Sequence, residues 1–306
     1  MPERSKLRLY LDSLRLERWP RSLAIIPGFV AVFVLDPGRW DAAALPALLV
    51  RLVAAFLLTW LISTANYIVN EITDAPFDRY HPQKKHRPLV DKRVDAVRLV
   101  LLWIVLVAAS TVVARLLFPP PFLYSLLALL VAGLLYNVPP VRLKDVPFLD
   151  STVESANNPI RLLIGWYAVE SGFPPWLLLL AWWAFGNFLM VGKRVAEKKF
   201  LTEAESAGYR RSLKRYSQRM LVVFMVLNAG VFLLSFALFA VASGLSTLLF
   251  SLPFVLVYLG MFIRKSLKDR EGAEEPEKLL KNPHFALYTL FLALVFVIAF
   301  LLRAAR

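Results

Sequence analysis

Apolar residues fill this chain in runs close to the ~20 residues that a bilayer core requires. The runs lie near 22–36, 45–70, 97–117, 121–138, 150–169, 175–193, 219–241, 245–264 and 284–303. Charged or Pro-rich stretches separate them. The pattern predicts an all-α, polytopic membrane protein: nine transmembrane helices around a central cavity, in a single transmembrane domain over 1–306. Two runs differ from the rest. The first is short and contains Pro27 and Gly28. The fifth holds Glu154, Asn157, Asn158 and Arg161, which a spanning helix tolerates only where it faces a cavity or partner helices. Ahead of the first run, residues 1–21 set Leu7, Leu9, Tyr10, Leu14 and Leu16 among Arg8, Arg15 and Arg18. That alternation predicts an amphipathic helix on the inner leaflet rather than a cleavable signal peptide.

Charge fixes the orientation. The chain has 36 Lys and Arg against 22 Asp and Glu, a net charge of +14. The basic residues crowd into the N-terminus and into the loops after the second, fourth, sixth and eighth runs. The intervening loops carry only Arg39. By the positive-inside rule, the N-terminus and the loops 71–96, 139–149, 193–218 and 265–282 are cytoplasmic, and the C-terminus is outside. The expected location is the cell membrane, multi-pass, with the chemistry facing the cytoplasm. The basic balance thus has a topological cause, and a nucleic-acid partner is not expected. With no Cys there are no disulfides or thiolate metal sites. Only three His occur, without a His-x-x-x-His pair, so no imidazole metal centre is expected.

The candidate chemistry sits in two cytoplasmic segments. The first reads Asn70-Glu71-Ile72-Thr73-Asp74-Ala75-Pro76-Phe77-Asp78. Asn70, Asp74 and Asp78 stand four apart and would stack along one helix face. Such a row of oxygens suits a Mg²⁺ ion that keeps some water and binds a diphosphate. Lys84, Lys85 and Arg87 follow closely as cations for phosphate oxygens. The second segment runs from Lys144 through Asp145 and Asp150 to Glu154. Carboxylates for metal beside cations for phosphate are what departure of a diphosphate requires. Asn66 extends the first face one turn deeper, as a ligand or as an interhelical hydrogen bond.

Asn70-x-x-x-Asp74-x-x-x-Asp78 followed by Arg87-Pro88 resembles the first signature of the UbiA superfamily of intramembrane prenyltransferases. The resemblance covers essentially the whole chain. It implies nine transmembrane helices, two acidic motifs on cytoplasmic loops, and Mg²⁺ holding a diphosphate. A narrower resemblance extends over Asn70-Glu71-x-x-Asp74-x-x-x-Asp78-Arg79 and His81-Pro82-x-Lys84-x-x-Arg87-Pro88. It is similar to the branch that makes decaprenylphosphoryl-5-phosphoribose, where Asp is common at the position of Glu71. Gly192-Lys193-Arg194-Val195-Ala196-Glu197 is similar to that branch as well. The second motif departs from the superfamily pattern, with Asp150-x-x-x-Glu154 in place of two aspartates. Asp145 rivals Glu154 as a metal ligand. Tyr136 and Lys144 match the Tyr…Lys pair that precedes this motif in the family, although Tyr136 also reads as a membrane-interface aromatic.

The expected site therefore has Asn70, Asp74, Asp78, Asp150 and Lys144 at the reacting diphosphate. Asn70, Asp74, Asp78, Asp150 and Glu154 are the metal ligands. Asn66, Glu71, Lys84, Lys85, Arg87, Tyr136, Asn157, Arg161, Lys193 and Arg194 bind substrate. Arg161 reads as a phosphate ligand or as the buried partner of Glu154. Lys193 and Arg194 read as part of a basic rim or as inner-leaflet charges. The expected reaction moves phosphoribose from phosphoribosyl pyrophosphate to a polyprenyl phosphate, releasing pyrophosphate. The rival moves a polyprenyl group from its diphosphate to a 4-hydroxybenzoate-like or other small acceptor. A non-catalytic lipid-binding or transport protein is a minor third reading, which would let the acids be replaced without loss. Membrane lipid is an expected partner, and an oligomer is compatible with the sequence.

Overall fold

In the computed structural model, residues 6–39, 41–79, 86–91, 93–200, 211–268 and 282–304 are described, and among them there is no strand. The chain divides into two compact units, 1–174 and 175–306. Among the described residues, eight helices are long and apolar enough to cross a membrane. The helix of the fifth run is not among them, because its acids, amides and arginine dilute its apolar residues.

The first unit begins with α1 (Lys6–Leu14) and a 3-10 helix (Leu16–Ile25) that passes directly into α2 (Ile26–Leu35). α3 (Leu45–Asp78) starts at a Pro in its first turn, where the missing N–H is no loss. It runs beyond the apolar run that ends near residue 70, so the first motif is helical throughout. α4 (Ala96–Leu117) is capped by Asp95, whose carboxylate accepts from the Val97 N–H at 2.9 Å. α5 (Pro120–Asn137) again opens on Pro, and α6 (Leu149–Tyr167) completes the unit. The main core joins Ile25 and Val32 of the first helical pair to Ala55, Leu58 and Ile62 of α3. Phe122, Leu126 and Leu129 of α5 and Ile164 of α6 fill the rest.

Small residues set the closest approaches. A Cβ on Gly28 would lie 1.9 Å from the Leu162 carbonyl oxygen. One on Gly165 would lie 1.8 Å from the Ile25 carbonyl oxygen. The first helical pair and α6 therefore touch backbone to backbone, the small-residue contact expected where lipid gives helices no hydrophobic drive to associate. Asn66 makes a third such contact. Its Nδ2 donates to the Leu129 carbonyl of α5 at 2.8 Å, and a Cβ on Gly133 would strike its amide at 2.2 Å.

The second unit comprises α7 (Trp176–Phe200), α8 (Gln218–Ala242), α9 (Leu252–Lys268) and α10 (Pro283–Ala304). α7 and α8 are tied by a buried amide pair, Asn187 Nδ2 donating to Asn228 Oδ1 at 2.9 Å. Aromatic contacts between Phe185, Phe188, Phe232, Tyr258 and Phe262 pack this unit.

The close helix contact in the first unit is measurable. Gly165→Ala forces a methyl into the Ile25 backbone, which has no side-chain freedom with which to yield. A cost of ~1–3 kcal/mol is expected, read as a lower apparent Tm in detergent. Gly230→Ala on α8, where nothing lies within 4 Å of the new atom, should leave the Tm unchanged or slightly higher. Equal Tm values for the two variants would contradict the packing.

Candidate active site

The last turns of α3 present Asn70, Asp74 and Asp78 along one face, over about 12 Å at the helical rise. The α5–α6 connection folds onto this face. Two of its residues take left-handed backbone, Arg142 at φ 31° and Phe148 at φ 66°, which costs a non-glycine residue roughly 1–2 kcal/mol. In return the turn delivers two cations to α3. Lys144 Nζ donates to Asp74 Oδ1 at 2.5 Å, to Asn137 Oδ1 at 2.9 Å and to Asn70 Oδ1 at 3.3 Å. Arg142 donates to the same Asp74 oxygen at 3.0 Å, to the Thr73 carbonyl at 3.2 Å and to Asp145 at 3.0 Å. Its guanidinium also lies 4.4 Å from the centre of the Phe77 ring. Lys144 is buried, and Asp74 is the more open partner, with 19% of its side chain exposed.

Glu71 faces a different direction. It is buried, and it accepts from Arg15 Nη2 at 2.6 Å, with Arg87 Nη1 at 3.6 Å. Arg87 also donates to Asp78. The end of α3 is thereby clamped between the N-terminal segment and the loop that follows it. α1 lies alongside, and Leu9 packs with Ile68, Val94 and Leu99. Residues 6–14 thus cover the motif helix, in addition to the inner-leaflet role read from their amphipathic pattern.

The second motif starts α6. Asp150 is fully buried in its first turn. Glu154, one turn on, accepts from the Tyr136 hydroxyl at 2.8 Å, which makes Tyr136 a partner of the motif. Asn157 Nδ2 bonds the Glu154 carbonyl at 3.0 Å, and its Oδ1 is buried without a partner. The Nε of Arg161 is also buried without a partner, so Arg161 is not the buried mate of Glu154. In the second unit, Lys193 is half-buried on α7. Arg194 is wholly buried and paired to Glu197 of its own helix at 2.7 Å, an i,i+3 ion pair rather than an open rim charge. Lys84, Lys85 and His81 lie outside the described residues.

The donor set can be tested against a metal. Among the described residues, no three His, Asp or Glu side chains converge tightly enough to hold an ion alone. Asp74 and Asp78 are each held by cations, and Asp145 is engaged by Arg142. Mg²⁺ is commonly bound by one or two carboxylates, with water and substrate phosphate oxygens completing its shell. The Asn70–Asp74–Asp78 row fits an ion of that kind and does not fit an all-protein cage.

Sequence reasoning passed over Arg142, Asn137 and Arg15. Arg142 stands two residues before Lys144, in a loop whose charge was credited to topology. Asn137 was visible as an amide ending an apolar helix beside Tyr136. Arg15 carried no signal, because its pairing with Glu71 spans 56 positions.

Comparison with known proteins identifies the fold and the family. A UbiA homologue from Archaeoglobus fulgidus bound to GPP and Mg²⁺ shares the fold, with a TM-score of 0.66 at 16% identity over 95% of this chain and 99% of that one. The decaprenyl-phosphate phosphoribosyltransferase of Mycobacterium tuberculosis H37Rv is 29% identical over 232 residues, 75% of this chain and 73% of the relative. The protein of the same name from Mycolicibacterium smegmatis is 27% identical over 244 residues, 78% and 72% of the two chains. The model of the UbiA prenyltransferase family matches residues 24–295, and the chain belongs to that family.

Proposed function

We propose that this UbiA-type transferase moves phosphoribose from phosphoribosyl pyrophosphate to a polyprenyl phosphate. The observation that carries the choice of substrates is the likeness to decaprenyl-phosphate phosphoribosyltransferases along about three-quarters of both chains. The site supports it physically. Asp74 is shared by two cations, so carboxylates for a metal and donors for phosphate oxygens occupy the same few ångströms. α6 counts as the ninth span, its polar face turned inward. The N-terminus and the motif loops are cytoplasmic and the C-terminus is outside.

In the reaction, a phosphate oxygen of the lipid bonds to C1 of the ribose as the C1–oxygen bond to the diphosphate breaks. Pyrophosphate carries away the electron pair. The acceptor is already anionic at neutral pH, so no strong base is needed, in keeping with a site of carboxylates, amides and cations. Mg²⁺ bound at Asn70, Asp74 and Asp78, with Asp150 or Glu154 from the second motif, would supply charge neutralisation for the leaving diphosphate. Lys144 and Arg142 are placed to exchange Asp74 for diphosphate oxygens and to stabilise the charge that grows on them. Arg87, paired with Asp78, extends this positive surround. Glu71 keeps Arg15 and Arg87 in place rather than touching substrate. Tyr136 holds Glu154 in position.

Three outcomes test this reading. Purified protein given labelled phosphoribosyl pyrophosphate and polyprenyl phosphate should form phosphoribosylated lipid. Asp74→Asn, which keeps the side chain's size, should lower kcat/KM by about 100-fold or more, near 3 kcal/mol. It should also weaken Mg²⁺-dependent pyrophosphate binding. Product from prenyl diphosphate and 4-hydroxybenzoate, with none from the first pair, would establish the rival reaction.

Orientation is read with single cysteines in this Cys-free chain. A cysteine at Ser171 should react with an impermeant maleimide added to intact cells, and one at Lys214 should react only after lysis. The reverse pattern would put the motifs on the outer face.

The Arg15–Glu71 pair is tested by a double-mutant cycle on apparent Tm and activity. Arg15→Met or Glu71→Gln alone should each destabilise, because a buried ionic group loses its mate. The double variant should recover part of that loss, with a coupling of ~1–3 kcal/mol. Strict additivity would show that the clamp does not form.

A further inference from the structure

Arg161 is the most anomalous charge in the first unit. It sits mid-helix on α6, seven residues past Glu154 and so about 10 Å deeper along the axis. Its Nε is buried without a hydrogen-bond partner. The ionisable groups that act on it are Tyr67 of α3 and Arg21 of the 3-10 helix, and no carboxylate is among them. A third guanidinium is close by, since the Cζ of Arg18 lies 5.8 Å from the centre of the Tyr67 ring. Cations are thus gathered around one hydroxyl-bearing ring in a low-dielectric setting, where like charges repel strongly. Two buried donors of α3 also lack partners, Trp60 Nε1 and Ser63 Oγ. Buried polar groups left unmated in this way are ordinarily completed by a ligand or water.

We infer that Arg161, Arg21 and Tyr67 form a second anion site, separate from the Asn70–Asp74–Asp78 row, that takes the phosphomonoester head of the acceptor lipid. The inference rests on the proposed reaction for the identity of the anion. Its placement follows from α3. Tyr67 precedes Asn70 by three residues and Asp74 by seven, so it shares their side of the helix, one to two turns deeper. A phosphate held there lies on the membrane side of a diphosphate bound at Asp74, with its tail directed into the bilayer. A nucleophile inside and a leaving group outside is the arrangement that displacement at C1 needs. The site also accounts for the buried Nε of Arg161 that lacks a partner, since an unsatisfied charged donor destabilises the empty protein and is satisfied on binding.

The test uses the full-length protein in detergent, without Mg²⁺ or phosphoribosyl pyrophosphate. Farnesyl monophosphate, farnesol and 4-hydroxybenzoate are the probes, read by fluorescence titration and by the shift in apparent Tm. The wild type should bind the monophosphate at least tenfold more tightly than the alcohol. Arg161→Gln should abolish that preference, as loss of a charge-assisted hydrogen bond predicts. Its binding of Mg²⁺–pyrophosphate should be unchanged. Arg161→Gln without ligand should be as thermostable as the wild type or more so, whereas a purely structural arginine predicts a lower Tm. Tyr67→Phe should weaken the monophosphate and leave the alcohol unaffected. An undiminished phosphate preference in Arg161→Gln, in a protein that still turns over phosphoribosyl pyrophosphate, overturns the second site and spares the proposed reaction. A wild type that ignores the monophosphate but binds 4-hydroxybenzoate through Arg161 overturns both.

Discussion

The Asp74 carboxylate, shared by Lys144 and Arg142, is the interaction on which the site depends. It joins the end of α3 to the α5–α6 connection, two elements 70 residues apart in the chain. The connection cannot lie where it does by apolar burial alone, since two of its residues take unfavourable left-handed backbone. The ionic contacts offset that strain and hold Phe148 at the entry to α6, and with it Asp150 in the first turn. Removing the Asp74 carboxylate would take from two largely buried cations an anion that their remaining contacts to Asn70, Asn137, Thr73 and Asp145 do not replace. Asp74 is therefore a structural keystone, and on the proposed reaction a metal ligand as well, so variants that retain its shape separate the two roles.

A second ionic layer works in the same manner further out. Glu71, Arg15, Arg87 and Asp78 bind the N-terminal segment and the post-motif loop to the same helix end. One helix terminus thus organises three connections. The division of labour follows helix geometry: residues 70, 74 and 78 form one stripe and Glu71 lies about 100° round from Asn70. One stripe meets the catalytic loop while the other anchors the cover. Glu71, expected from sequence to bind substrate, has its carboxylate buried against Arg15.

Much of the fold was legible because lipid permits few alternatives. Long apolar runs, Pro at helix starts and the absence of strand patterns leave a helical bundle. The four-residue spacing of Asn70, Asp74 and Asp78 read directly as a helix face. What the sequence concealed was partner choice. Asn66 could equally have been a ligand, and its amide is bonded to the Leu129 carbonyl. Arg194 read as part of a basic rim or as an inner-leaflet charge, and it is buried against Glu197, a pairing that i,i+3 spacing did allow. Arg142 was counted as topology although it donates to three elements of the site. Long side chains reach about 6–7 Å, so a basic residue in a cytoplasmic loop has many possible mates, and pattern alone does not rank them.

The polar groups of the first unit also sort by depth, and depth separates two kinds of electrostatics. Near the helix ends, Asp74, Asp78 and Glu154 each have a cation or hydroxyl against them, so charge is balanced within the protein. Deeper, at Arg161, Asn157, Ser63 and Trp60, the balance is incomplete. A membrane protein gains nothing in stability from unsatisfied donors beside a second arginine, because the bilayer core offers no water to relieve them. Such groups are completed by water or by an entering ligand. On the proposed reaction that ligand is the acceptor's phosphate, so the outer layer holds its geometry when empty and the inner layer is completed by substrate, an arrangement that suits a charged lipid head better than an uncharged acceptor.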